Sequence, residues 1–201
     1  STENNFAKYS NEQTFNRGSR FILTIDGNSV ECVTSLLGRH NISNITLAAA
    51  VAYKLGVSIE ELSNKITELK AVPHRLQLIE TGGGMTVIDD SFNANIEGAK
   101  IALEVLSSFL QKKVVITAGL VDMGKRQKDV NIELGRLIAD TSDWCIITGP
   151  NSLYIYEGLI EQNFSVKNIR VCDSLNQAVK VLNSISGSKV VLFQNDLPDN
   201  Y

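Results

Sequence analysis

The sequence predicts an α/β protein: a hairpin and a helix pair, then a doubly wound, mostly parallel sheet of six strands. Three observations carry this. From Lys113 onward, short apolar runs alternate with amphipathic stretches, the pattern of βαβ units and a parallel sheet. Asp26-Gly27-Asn28 separates two β-rich runs, the signature of a hairpin. Between these regions, residues 42–69 carry helical spacing with Gly56 as a stop and Ser58 as a cap. The organisation boundary falls near Pro73, giving units of residues 1–76 and 77–201.

In chain order, Ser1 to Arg20 has few apolar residues and is expected to be irregular or partly ordered. Arg20–Ile25 and Ser29–Val33 form the hairpin. A helix from about Ile42 to Leu55 follows, then a second from Ser58, whose Glu61 completes a capping box, to about Leu69. Leu76–Glu80 and Met85–Ile88 are strands joined by a tight turn at Gly82-Gly83-Gly84. A helix runs from Ile96 to Leu110 on the spacing of Ala99, Ala102, Leu103, Leu106 and Leu110. Strands at Lys113–Ala118, Trp144–Thr148, Ile169–Cys172 and Lys189–Phe193 alternate with helices at Gln127–Ala139, Ser152–Gln162 and Leu175–Leu182. Right-handed crossovers place helices on both faces of the sheet.

Composition removes several classes of function. The net charge is −3 and no basic block exists, so nucleic acid finds no electrostatic footprint. No apolar run is long enough to span a bilayer. Cys32, Cys145 and Cys172 lie far apart inside or beside apolar runs and read as buried thiols in a reducing cytosol. With two histidines and no clustered cysteines, no metal ligand set is assigned. No G-x-G-x-x-G follows a strand, which argues against a dinucleotide oxidoreductase, and no Gly-Lys-Ser/Thr completes a phosphate loop.

The candidate site gathers around Ile88-Asp89-Asp90-Ser91-Phe92-Asn93-Ala94-Asn95 and the preceding Pro73-His74-Arg75. Carboxylates and carboxamides collect where a strand hands over to a helix, which is where open α/β sheets bind ligands. A capped turn explains the same residues. Arg75 pairs either with a phosphate or with the neighbouring acids, and His74 reads as a surface or linker residue rather than a catalyst. Asn41 and Asn44, three apart at a helix start, share a face and can read a planar heterocycle edge; a simple N-cap at Asn41 is the alternative. Loops at the carboxyl ends of the strands hold Asp122, Asn151 and Asp196, which either face one crevice with Asp90 and Asn95 or, the better reading for each taken alone, are structural turn residues.

Three segments in fixed order now meet a family pattern: Gly-x-His-Asn-x-x-Asn-x-x-x-Ala-Ala from Gly38, Val-Pro-x-Arg-Leu from Val72, and Asp-Asp-Ser-x-Asn-Ala-Asn from Asp89. With Ala118-Gly119-Leu120-Val121-Asp122-Met123-Gly124 they resemble the Mur ligases, most closely the type that adds D-alanyl-D-alanine. The resemblance implies the tail of a central ATP-binding domain (1–76) and a Rossmann-like C-terminal domain (77–201). It implies a cytoplasmic ATP- and Mg²⁺-dependent amide ligase of peptidoglycan precursor synthesis, monomeric at full length. Such an enzyme joins a UDP-MurNAc-peptide to an amino acid or a dipeptide such as D-alanyl-D-alanine. By the same resemblance His40, Asn41 and Asn44 meet the adenine, Arg75 the ribose–phosphate, and Asp90 the ribose or a closing interface. Asn93, Asn95 and Asp122 line the side of the incoming amine, and no catalytic residue is assigned. The family's Lys-Gly-Ser-Arg near the end is absent. The chain is expected to be a truncated piece without ligase activity of its own. A folylpolyglutamate-type ligase and a non-catalytic binding module remain as alternatives.

Overall fold

The computed structural model describes residues 6–92 and 95–194. Two units divide between Ala71 and Val72, so Val72–Leu76 belongs with the second unit rather than with the first.

The first unit is a three-stranded antiparallel sheet covered by two helices. Its strands are β1 (Ala7–Phe15), β2 (Gly18–Ile25) and β3 (Asn28–Thr34), in that spatial order. The β2–β3 hairpin turns at Asp26-Gly27 as its sequence predicts. The expectation of irregular chain up to Arg20 is overturned: β1 pairs with β2 from Ala7↔Ile25 to Phe15↔Gly18, with one irregularity between Ser10 and Gln13. The reason is positional. An edge strand needs few core residues of its own. Phe6, Ala7 and Tyr9 pack on the core while most of β1 is polar and exposed, which is how edge strands avoid further pairing. Phe21, Leu23, Ile25 and Cys32 meet Ile42, Ile45 and Ala49 of α1 (Arg39–Lys54) and Leu62 and Ile66 of α2 (Ile59–Thr67). Ser58 caps α2 by accepting from Glu61 N at 3.2 Å.

The second unit is a six-stranded sheet. Its strands are β4 (Gln77–Glu80), β5 (Met85–Asp90), β6 (Lys112–Thr117), β7 (Trp144–Thr148), β8 (Ile169–Cys172) and β9 (Lys189–Gln194). Their order is β4-β5-β9-β6-β7-β8, with β4 antiparallel to β5 and the other pairs parallel. Gly82, Gly83 and Gly84 all have positive φ, a succession that only glycine adopts without strain. The crossovers through α3 (Ile96–Ser107), α4 (Gln127–Thr141) and α5 (Ser152–Glu161) all step one way along the sheet. That through α6 (Leu175–Ser184) steps back to insert β9 between β5 and β6. With right-handed connections, α6 therefore covers the opposite face from the other three. The packing agrees: Ala178, Leu182 and Ile185 lie on Val114, Ile116, Ile146 and Val191, while the intervening Val115, Ile147 and Leu192 are buried toward the other side. The helix expected to reach Leu110 stops at Ser107. Phe109 enters the core instead, and Leu110 is 100% exposed.

Candidate functional site

The second unit concentrates chemistry at the carboxyl edge of its sheet. There the β4–β5 pairing, Gln77↔Asp89, lays His74–Leu76 beside Asp89–Phe92. Asp90 Oδ1 accepts from Leu76 N at 3.1 Å. His74 Nδ1 lies 2.9 Å from Asp89 Oδ2, and Ser91 Oγ donates to Asp89 Oδ1 at 2.6 Å. Phe92 N donates to the carbonyl of His74 at 3.3 Å, and the Arg75 guanidinium lies 4.6 Å from the Phe92 ring centroid. His74 and Leu76 both have positive φ, a conformation that non-glycine residues hold only where surroundings impose it.

These contacts leave Arg75 exposed on a segment fastened by its neighbours. Burial pushes the Asp90 carboxyl above its ordinary pKa, opposed by the Leu76 amide and the Arg75 charge and reinforced by the charge of Asp89. Arg75 and Asp90 thus come together as expected. His74 is exposed, as a surface residue is expected to be, and its ring is also bound to Asp89. The sequence did not reveal Phe92 as the surface beneath Arg75.

Across the same edge, the loop after β6 carries the exposed Asp122 at φ 59°. Asn151 does not face solvent with it. It is 5% exposed and turned inward, its Nδ2 donating to the Leu120 carbonyl at 3.1 Å. Asn95 is the N-cap of α3, accepting from Gly98 N at 2.8 Å. The capped-turn reading therefore holds for Asn95, whose side chain is exposed. Asn93 and Asp196 lie outside the described residues.

In the first unit, Gly38 (φ 84°) is the residue before α1, and no side chain caps the helix. Asn41 is therefore not its N-cap; it sits inside the first turn and donates from Nδ2 to the carbonyl of Leu37 at 2.7 Å. Asn44 is exposed one turn on. His40 Nδ1 is buried with no hydrogen-bond partner, and burial holds the ring below its usual pKa, that is, neutral. Among the described residues no group of three or more His, Cys, Asp or Glu side chains is placed to hold a metal ion. No helix among them is long and apolar enough to cross a membrane.

Residues 74–194 match the family model described as "Mur ligase, glutamate ligase domain". The chain is 30% identical over 118 residues to the UDP-N-acetylmuramoyl-tripeptide–D-alanyl-D-alanine ligase of Escherichia coli, covering 59% of this chain and 26% of that protein. The crystal structure of MurF from Acinetobacter baumannii superposes with a TM-score of 0.86 at 21% identity, over 96% of this chain and 43% of that one. MurF ligase from Thermotoga maritima in complex with ADP gives 0.76 at 23% identity, over 95% and 43%. The chain thus spans about a quarter of the curated relative and under half of the solved ones.

Proposed function

Because this chain belongs to the Mur ligase family, we propose that it is part of an ATP-dependent ligase that joins D-alanyl-D-alanine or a similar amine to a UDP-MurNAc-peptide. The observation that carries the proposal is the fastening of Arg75 beside Asp90 by the His74–Asp89 and Leu76–Asp90 contacts, at the start of the family-matched region. A guanidinium held in place in this way is a charge-assisted partner for a nucleotide phosphate. The printed names of the relatives supply the acceptor class.

In this reading the first unit is the end of a central ATP-binding domain and the second is the acceptor-receiving domain. His40, Asn41 and Asn44 address the adenine. Arg75 addresses the ribose–phosphate, and Asp90 the ribose or the closing interface. Asn93, Asn95 and Asp122 serve the incoming amine. The γ-phosphoryl group of ATP moves to the substrate carboxylate and ADP leaves. The amine attacks the acyl phosphate, and the tetrahedral adduct loses phosphate and a proton to give the amide. A fixed cation near the transferring group favours such charge-shifting steps because it does not have to reorganise as charge develops. Mg²⁺ would neutralise the phosphates, with most of its protein ligands supplied from outside this chain.

The test is phosphate release by the complete ligase that carries this chain. Release that depends on both a UDP-MurNAc-tripeptide and D-alanyl-D-alanine is expected. Release driven instead by a folate and glutamate would transfer the chain to a different acceptor class. Release driven by neither pair would remove the ligase reading.

A further inference from the structure

We infer that Gln127, Asn131 and Asn151 are positioning residues that hold the Gly119–Met123 loop so that Asp122 meets the ammonium group of the incoming amine. The inference deepens the acceptor assignment proposed above and rests on it. The Leu120 carbonyl is the atom they share. It accepts from Gln127 Nε2, from Asn131 Nδ2 at 2.9 Å and from Asn151 Nδ2 at 3.1 Å. A carbonyl oxygen has two lone pairs, so three amide donors converging on one is a concentration of effort beyond simple satisfaction.

The loop is held on the other side as well. Leu120 N donates to Asn131 Oδ1 at 2.8 Å, and Met123 N donates to Gln127 Oε1 at 3.1 Å. Gly119 N donates to Thr117 Oγ1 at 3.0 Å. The amides also hold one another, with Gln127 Nε2 donating to Asn151 Oδ1 at 3.1 Å. A Cβ at Gly119 would lie 2.5 Å from Asn131 Oδ1. The loop therefore fits these side chains without spare room.

Two features indicate that this is more than loop repair. Asn151 occupies the N-cap position of α5 yet makes no cap bond; its side chain is used on Leu120 instead, against the ordinary preference of Asn at that position. Asn131 is 0% exposed, in a helix whose other buried residues are all apolar or glycine. Buried carboxamides are costly unless fully paired, and when paired they specify one geometry. The residue they leave uncommitted is Asp122, exposed at φ 59° between the pinned Leu120 and Met123. A carboxylate on a fixed backbone is a complementary anchor for a primary ammonium, and fixing it beforehand lowers the ordering cost of binding.

The experiment is titration of the 201-residue chain with D-alanyl-D-alanine and with L-alanyl-L-alanine, followed by amide NMR of Gly119–Met123 together with the melting temperature. Wild type is expected to bind the D,D dipeptide with shifts in this loop, and Asp122→Asn to lose that binding. Gln127→Glu keeps the acceptor for Met123 N but sets an anionic oxygen against Leu120 O and Asn151 Oδ1. It should weaken binding by about tenfold or more and erode the D,D over L,L preference, with a lowered Tm that still leaves the domain folded at the titration temperature. The half-buried Gln127→Ala should do the same if the glutamate variant fails to fold. Wild-type affinity and preference in both Gln127 variants would overturn the inference while leaving the acceptor reading intact. Failure of the wild-type chain to bind either dipeptide would overturn both.

Discussion

At the scale of single residues, the elbow after β5 does two things at once, and each has a measurable consequence. Arg75 stacks on Phe92 and neighbours Asp90, so its charge is oriented although its side chain is exposed. Arg75→Ala removes a charge-assisted contact worth about 1.5–3 kcal/mol. The complete ligase should then need at least tenfold more ATP for half-maximal rate, with the circular dichroism of the domain unchanged. An unaltered ATP requirement would cancel the assignment. Asp90 gives a pH signature. Its folded pKa is raised by burial, so the native state holds this proton to higher pH than the unfolded chain does. Stability from this group is therefore fully present below the unfolded pKa and falls as pH rises through the folded one. Asp90→Asn keeps an oxygen for Leu76 N and removes the titration. Its Tm should decline less than that of wild type between about pH 4 and 7. Parallel Tm profiles would contradict the sign.

Among the elements, the α4–α5 pair sets the tightest tolerance in the second unit. A Cβ at Gly158 would lie 2.1 Å from the Ile132 carbonyl, and one at Gly135 would lie 2.3 Å from the Ile155 carbonyl. The two helices meet backbone to backbone, and no rotamer change can relieve an added methyl. Gly158→Ala should cost about 2–3 kcal/mol by overpacking and lower the Tm of the second unit by several degrees; an unchanged Tm would show that the helices separate freely. This contact shows where sequence patterning stops. The stretch at Gln127–Ala139 was legible as a helix because it is one of the amphipathic runs that alternate with apolar strands, and such a period is a local property. That Gly135 and Gly158 touch is a relation across 23 residues which no local period encodes. The same distinction explains the site. Asp90 and Arg75 were legible because strand pairing joins segments close in sequence. Asn151 fits the structural reading rather than the crevice, but its partner, Leu120, was not legible because it lies on another strand's loop. The first strand escaped notice for a related reason: its order comes from the ladder with β2 and not from its own polar composition.

For the whole molecule, the two units divide the proposed task unequally, and the sequence sets a limit on what they do together. The loop proposed for the acceptor, the elbow acids and Arg75 lie in one unit, and the α1 residues proposed to read the adenine lie in the other. None of the 201 residues forms a Gly-Lys-Ser/Thr loop, the nest of backbone N–H groups and lysine that grips β- and γ-phosphates. The net charge of −3 offers no diffuse substitute. Adenine and ribose contacts alone place a nucleotide without orienting its γ-phosphoryl group, and misorientation removes most of the rate advantage of binding. The 201-residue chain should therefore release no phosphate from ATP above background when given a UDP-MurNAc-tripeptide and D-alanyl-D-alanine. Addition of a separate segment bearing a glycine-lysine phosphate loop, such as the preceding portion of a Mur ligase, should restore release if the two associate. Substrate-dependent release by the chain alone would mean that its own residues cradle the phosphates, and the division of labour between the units would have to be redrawn around Arg75.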